Sequence, residues 1–230
     1  MSAPDKIFAY CERGLDAGLW AEPLNALSNF ASLAVALWAL SAWRRAAPAD
    51  RDWTGLALIT LVALIGVGSA LFHTFATPMT RLADTLPIGA FMLAYLAFAL
   101  RRFVGAGRTA VTVAVAALAG SIAVAGSLRC GGATCLNGSL GYIPALAALG
   151  LVGGVLLRRR QPAAPHLVAA AAVFAVALTL RTIDQSICPL TVIGGRAFGT
   201  HFLWHVLNAL VLALLLGAAS RSRARRQGRS

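Results

Sequence analysis

Seven long apolar segments constrain this chain more than any other feature of its sequence. Each has about 20 residues, the length that an α-helix needs to cross a hydrocarbon core about 30 Å thick. The segments are residues 24–43, 54–73, 84–103, 109–127, 139–157, 165–183 and 199–219. Because only short connections remain within 230 residues, we expect an all-α membrane protein, a bundle of seven transmembrane helices with no separate soluble domain.

The distribution of basic residues predicts the orientation of this bundle. Of the 20 Lys and Arg residues, fourteen fall on one side of the predicted membrane and six on the other. The more positive side of a membrane protein usually faces the cytoplasm. We therefore expect the N-terminus outside and the C-terminus inside. Residues 1–23 would form an extracytoplasmic segment, residues 24–219 the transmembrane domain, and residues 220–230 a basic cytoplasmic tail.

The net charge of +12 would indicate nucleic-acid binding in a soluble protein. Here all basic residues except Lys6 are Arg, and they form short clusters between apolar segments, a pattern typical of membrane topology. The arginines of the tail directly follow an apolar segment, which favours contact with anionic lipid head groups. We therefore expect a membrane and no nucleic acid as the partner.

Four cysteines, Cys11, Cys130, Cys135 and Cys188, fall in segments assigned to the outer side. An oxidising compartment there would permit disulfides. Cys130 and Cys135 share one Gly-rich loop, and pairing them would leave Cys11 with Cys188. Four cysteines nevertheless allow three pairings, and the residues alone do not choose between them. A metal site at the cysteines is the weaker interpretation, because no CxxC spacing occurs.

Ionisable residues in or beside the apolar segments are few. His73 ends the second segment, Asp84 begins the third, and His201 and His205 begin the seventh. With the N-terminus outside, all four lie at the outer end of the bundle. Such residues are costly in lipid and usually mark a functional site. The Ala- and Arg-rich composition favours a bacterial source, so we expect an inner-membrane protein with its active site near the periplasmic side.

The histidine spacing predicts a zinc site. His201 and His205 are four residues apart, which places both rings on one helix face, and His73 would supply a third nitrogen from a facing helix. Three protein ligands with an open fourth position are typical of catalytic zinc. Asp84 could orient or deprotonate the zinc water, and Ser69, one turn before His73, could stabilise an oxyanion. Interhelical hydrogen bonding of these side chains is the alternative.

The chain resembles the alkaline ceramidases, part of a superfamily of seven-helix membrane hydrolases that also contains the adiponectin receptors. The matching stretches are Trp-Ala-Glu-Pro-Leu-Asn-Ala-Leu-Ser-Asn at 20–29, Gly-Ser-Ala-Leu-Phe-His at 68–73, Asp-Thr-Leu-Pro at 84–87, Arg-Thr-Ile-Asp at 181–184 with Cys188, and His-Phe-Leu-Trp-His at 201–205. They occur in order along nearly the whole chain. Together these stretches are specific for the family, although each stretch alone is weak evidence for it.

The resemblance implies a zinc-dependent amide hydrolase that cleaves ceramide to a sphingoid base and a fatty acid. It implies zinc bound by His73, His201 and His205, with Asp84 acting on the zinc water and Ser69 near the oxyanion. A lipid in the membrane is then the expected substrate.

The resemblance also implies a Cys11–Cys188 disulfide and a calcium site in the N-terminal segment. Glu12 and Glu22 match acidic positions of that calcium site. Ca²⁺ takes about 6 to 8 oxygen ligands, and this segment offers few. In the N-terminal segment, Ala9, Tyr10 and Gly14 differ from the residues expected from the family. Outside it, Thr85 replaces the acidic residue that usually follows the Asp at position 84.

The sequence is also compatible with other functions. The site chemistry does not specify the lipid chains, so hydrolysis of another N-acyl lipid is an alternative. A seven-helix lipid receptor or sensor with a structural zinc is a second one. A transporter is disfavoured because the ionisable groups lie at one end rather than at the midplane. A retinal protein is excluded because Lys6, outside the bundle, is the only lysine. Nothing in the sequence indicates the oligomeric state.

Overall fold

The computed structural model describes residues 6–48, 51–130 and 133–227, except the side chains of 133 and 221–227. This part of the chain contains eight α-helices: α1 (Pro23–Ser28), α2 (Phe30–Arg45), α3 (Trp53–Phe75), α4 (Pro78–Ala99), α5 (Arg108–Ser127), α6 (Ile143–Arg158), α7 (Ala164–Ile183) and α8 (His201–Gln227). A π-helical turn, Leu100–Val104, extends α4, and two 3₁₀ helices span Cys135–Tyr142 and Cys188–Thr191. The predicted tail, residues 220–230, begins inside α8, and 228–230 lie outside the described residues.

Two short antiparallel ribbons lie in the loops. Strand β1 (Arg129–Cys130) pairs with β2 (Ala133–Thr134), with Arg129 opposite Thr134. Strand β3 (Val192–Ile193) pairs with β4 (Arg196–Ala197), with Val192 opposite Ala197. Each strand has two residues, so the ribbons shape loops and leave the helices as the framework.

Seven helical spans in the described residues are long and apolar enough to cross a membrane, which confirms the predicted all-α seven-helix bundle. Helices α1 and α2 together form the first span, Pro23–Arg45, with a turn at Asn29 between them. The other six spans correspond to α3, α4 with its π-helical turn, α5, α6 with the preceding 3₁₀ helix, α7, and α8 as far as Ser220.

The predicted start of the third span, at residue 84, was wrong by six residues. Helix α4 begins at Pro78, because Thr77 and Thr80 form a capping box there and Pro at the first helical position is preorganised for a helix. Asp84 therefore lies inside α4, nearly two turns from its start, and is buried.

Small residues allow the helices to approach closely, as is typical of bundles in lipid. Gly68 of α3 lies against the backbone of Ala83 in α4, where an added Cβ would overlap the Ala83 carbonyl oxygen. Gly153 of α6 lies against Val168 of α7. The Gly68 contact is the one that matters for the site, because it brings the residues after Gly68 next to Asp84.

The N-terminal segment, residues 6–22, packs across the end of the bundle where α3 ends and α8 begins. The Lys6 ammonium donates to the Phe75 carbonyl at 2.7 Å, and the Ile7 amide donates to the Ala76 carbonyl at 2.8 Å. Residues 10–13 are buried there.

Both disulfides that the sequence favours are present. Cys11 bonds to Cys188, which fixes the N-terminal segment to the loop before α8. Cys130 bonds to Cys135 within its own loop. The Cys11–Cys188 pairing that the family resemblance implied is therefore confirmed.

Candidate metal centre

Three histidines from two helices meet at the end of the bundle covered by the N-terminal segment. His73 comes from the last turn of α3, and His201 and His205 come from the first two turns of α8. Each offers one ligand nitrogen within 4.8 Å of the others, and their exposed fractions are 0%, 1% and 5%. The structure thus assembles the cluster that the sequence spacing predicted.

Each of these histidines has one buried ring nitrogen without a hydrogen-bond partner: His73 Nε2, His201 Nδ1 and His205 Nε2. A buried polar atom without a partner is unfavourable by about 1–3 kcal/mol. Three such atoms in one cluster are explained by a bound metal, since imidazole nitrogen is a standard zinc ligand and three protein ligands leave a fourth position open. The residues present therefore fit zinc.

Glu22 orients His73. Its Oε2 lies 2.5 Å from His73 Nδ1, so the carboxylate holds one ring nitrogen and leaves Nε2 for the cluster. Asn25 Nδ2 and Arg13 Nε also donate to the Glu22 carboxylate. Burial alone raises the pKa of Glu22, but interactions with His73, Asn25 and Arg13 outweigh it, and the pKa lies below its ordinary value. A carboxylate behind a ligating histidine is a common arrangement in metal sites.

Asp184 orients the start of α8. Its Oδ1 accepts from the Thr200 and His201 amides at 2.7 and 2.9 Å, and its Oδ2 accepts from the Cys11 amide at 2.8 Å. A carboxylate that caps a helix N-terminus in this way stabilises the helix and fixes its direction. Gly199, with φ of +63°, is required beside it, because an added Cβ would overlap Asp184 and Cys11.

Tyr10 packs on His201. The two rings stack with centroids 3.6 Å apart and an interplanar angle of 17°. Burial raises the pKa of the Tyr10 phenol, against the opposing influence of the Arg181 charge, so the ring stays uncharged. Arg181 donates to the Tyr10 hydroxyl at 3.2 Å and to Ser139 Oγ at 3.1 Å. Tyr10, itself held by Arg181, therefore fixes the His201 ring from the side of the N-terminal segment.

Asp84 and Ser69 lie beside the cluster. Both are buried, and the backbone of Asp84 lies next to Gly68, the residue before Ser69. The close approach of α3 and α4 at Gly68 produces this juxtaposition. The structure therefore brings together all five residues predicted for the zinc chemistry. The Thr85 hydroxyl, at the position after Asp84, donates to the Arg81 carbonyl of its own helix.

Glu12 and Glu22, the two predicted calcium ligands, are engaged by protein donors. Glu12 accepts from the Leu24 and Asn25 amides at 2.7 and 2.8 Å. Burial raises the pKa of Glu12, although these two amides lower it. With Glu22 held by other side chains, this donor set does not fit a calcium ion.

An apolar cavity of about 940 Å³, counting open space at its mouth, extends from the cluster into the bundle. Ser69 and His205 line one end, and Ala99 and Leu215 line the other. Most of the remaining lining side chains are aliphatic or aromatic. This aliphatic and aromatic lining suits an alkyl chain. Trp204 is buried and also lines the cavity.

Sequence reasoning missed four residues of this site: Arg13, Asp184, Tyr10 and Arg181. A signal existed only for Asp184 and Arg181, which lie in the family-like stretch 181–184. The other two lie in a segment whose position over the cluster depends on the Cys11–Cys188 bond.

Together these features define a class: an integral membrane protein of seven helices with a buried histidine cluster that opens onto an apolar cavity. The sequence model of the family described as Ceramidase matches residues 8–230. The chain therefore belongs to the ceramidase family, as its resemblance to alkaline ceramidases predicted. No curated protein sequence matches it. Family membership supports, in general terms, a ceramide-hydrolysing function, that is, a hydrolase acting on amides, with a lipid substrate in a membrane.

Proposed function

We propose that this protein is a zinc-dependent lipid amidase that hydrolyses ceramide within the membrane to a sphingoid base and a fatty acid. The observation that carries the proposal is the cluster of His73, His201 and His205, which has three unpartnered buried nitrogens and whose His205 lines an apolar cavity. Membership of the ceramidase family supports, in general terms, hydrolysis of a ceramide amide.

His73, His201 and His205 would hold the zinc ion. When bound, zinc polarises a carbonyl and lowers the pKa of water to about 7, which supplies a nucleophile at neutral pH. Asp84 would accept the proton of the attacking water and deliver it to the leaving amine. Ser69 would donate a hydrogen bond to the oxygen that becomes negative as the amide carbon turns tetrahedral.

The cavity would bind the hydrocarbon part of the lipid, and the amide would lie at the cluster end. Burial of apolar chain contributes about 25 cal/mol per Å², so chain binding can hold the amide beside Asp84 and Ser69. We place the cluster near the periplasmic side of a bacterial inner membrane, with the basic C-terminus in the cytoplasm, on the charge distribution of the loops.

A second candidate is hydrolysis of another N-acyl lipid. The cavity favours this alternative because its lining is mostly aliphatic and aromatic, which selects for hydrocarbon rather than for one sphingoid structure.

The first experiment measures metal content and turnover together. Detergent-purified protein would be analysed for zinc, and fatty acid release would be followed from a panel of N-acyl lipids that includes ceramide. We expect about one zinc per chain and release that a chelator stops and added zinc restores. A chain with zinc but no turnover on any lipid would instead support the sensor interpretation, and a chain that never binds zinc would refute the metal centre.

The decisive variant is His205→Ala, with His166→Ala as its control. His205 belongs to the cluster, whereas His166 lies near Gly217, toward the other end of α8. We expect His205→Ala to lose both zinc and turnover and His166→Ala to keep both. Turnover at the normal rate in His205→Ala would contradict the proposal.

A further inference from the structure

Arg13 is a buried cation at the centre of the N-terminal segment, and its side chain is completely inaccessible. Its Nε donates to Glu22 Oε1. Its Nη1 donates to the carbonyl oxygens of Asp16 and Gly18 at 3.2 and 3.0 Å, and its Nη2 donates to the His73 carbonyl at 2.8 Å. One carboxylate and three backbone carbonyls therefore surround a single guanidinium.

Carboxylate and carbonyl oxygens are the ligands that a hard cation such as Ca²⁺ prefers. In this chain those oxygens are used by Arg13. The Glu12 carboxylate is directed at the start of α1, where it accepts from Leu24 and Asn25. Pro23 has no N–H, so Glu12 accepts from the first two free amides of that helix. Every carboxylate oxygen of Glu12 and Glu22 therefore already accepts a donor from the protein.

We propose that the Arg13 guanidinium is a built-in cation that takes the place of calcium and that it positions His73 through Glu22. The Glu22 carboxylate bridges the two side chains, with Oε1 on Arg13 and Oε2 on His73 Nδ1. Arg13 also binds the His73 carbonyl, so it holds the backbone and, indirectly, the ring of the same histidine.

The planar fork of Arg is essential to this arrangement. It presents donors in fixed directions, whereas a Lys ammonium is a compact charge with no fork. A guanidinium also cannot dissociate from the chain as an ion can. The metal affinity of the histidine cluster is therefore independent of calcium concentration.

The first test measures calcium binding to the full-length wild-type protein in detergent, by equilibrium dialysis with radioactive calcium and by thermal unfolding. We expect no saturable binding up to about 1 mM calcium, the weak end of known protein sites, and the same unfolding midpoint with calcium as with magnesium. Saturable binding of one calcium per chain, or a midpoint raised by calcium alone, would overturn the proposal. This test needs no zinc and no turnover, so it stands even if the proposed function fails.

The second test, which rests on the proposed zinc cluster, uses Arg13→Ala and Arg13→Lys with Arg129→Ala as control. Arg129 is exposed, and within the described part of the chain its guanidinium donates to carbonyls of its own segment, at Gly126, Ser127 and Leu128. Loss of groups that support metal ligands weakens metal affinity about 10- to 100-fold. We expect that loss for zinc in both Arg13 variants, with an altered visible absorption spectrum after cobalt substitution, and neither effect in Arg129→Ala.

The Lys variant keeps the test decisive if Arg13→Ala does not fold. Arg13→Lys with wild-type zinc affinity and an unchanged cobalt spectrum would show that the fork does not position His73. A wild-type protein that binds neither zinc nor cobalt would refute the metal centre itself, and the calcium experiment would still decide whether Arg13 takes the place of calcium.

Discussion

The two ends of the cavity are built on different principles. At the cluster end, carboxylates fix the histidines and the helix that carries two of them. Glu22 bonds to the His73 ring, and Asp184 accepts from the first amide of α8. Toward the other end the lining is aliphatic and aromatic, and the Tyr95 hydroxyl is used within the protein, donating to the Leu215 carbonyl at 2.9 Å. Directional bonds fix positions, whereas apolar contacts tolerate changes of shape. The geometry of the cluster end therefore depends on particular side chains, whereas the other end of the cavity depends mainly on the size of its apolar side chains.

The largest effect within this comparison is expected from Asp84→Asn. Asn has nearly the same shape as Asp but cannot accept the proton, and general acid–base groups contribute about 10²- to 10⁴-fold. We expect kcat for fatty acid release to fall by that factor while zinc content stays at the wild-type level. Both are measured on the same preparation. Loss of zinc in parallel with turnover would show that Asp84 supports the metal rather than the proton transfer.

A smaller loss is expected from Ser69→Ala. Removing one donor to a developing oxyanion lowers kcat by about 10²-fold or somewhat more, and KM should change little because the bond strengthens in the transition state. The matched control is Ser121→Ala, since the Ser121 hydroxyl is exposed on α5 and donates to Ala117 in its own helix. Equal effects of the two substitutions on kcat would contradict a role for Ser69 in catalysis.

The smallest effect is expected at the apolar part of the cavity. Ala148 of α6 lines the cavity and its neighbour Ala147 is exposed, so Ala148→Phe would narrow the space and Ala147→Phe would not. We expect Ala148→Phe to lower kcat/KM for long-chain amides roughly 10-fold more than for short-chain amides, in line with the modest selectivity of apolar pockets. A uniform loss for all chain lengths would show that the substitution disturbs the cluster instead.

The same contrast explains how much the sequence could predict. The number of spans follows from segment length, and the meeting of His201 with His205 follows from helical periodicity. The predicted start of α4 was wrong because a charged residue beside an apolar segment, here Asp84, is typical of a helix boundary, whereas Pro78 and the capping Thr77 mark the true start. A charge that is buried at a functional site cannot be told from a boundary charge by composition alone.

The groups that orient the histidines could not be predicted from local pattern. The bond between Arg13 and His73 links residues 60 apart, and that between Cys11 and Asp184 links residues 173 apart. Such contacts depend on how the N-terminal segment packs over the finished bundle. The cavity could not be predicted from the sequence either, because it is a space between helices and no residue type indicates it.

The Cys11–Cys188 bond has a consequence for biogenesis. It joins residues 177 apart, and two of the three histidines of the cluster belong to α8. The nascent chain therefore cannot complete the cluster until α8 has been synthesised. Oxidation of the two thiols then fixes the segment that carries Glu22 over α8. This step needs surroundings in which thiols are oxidised.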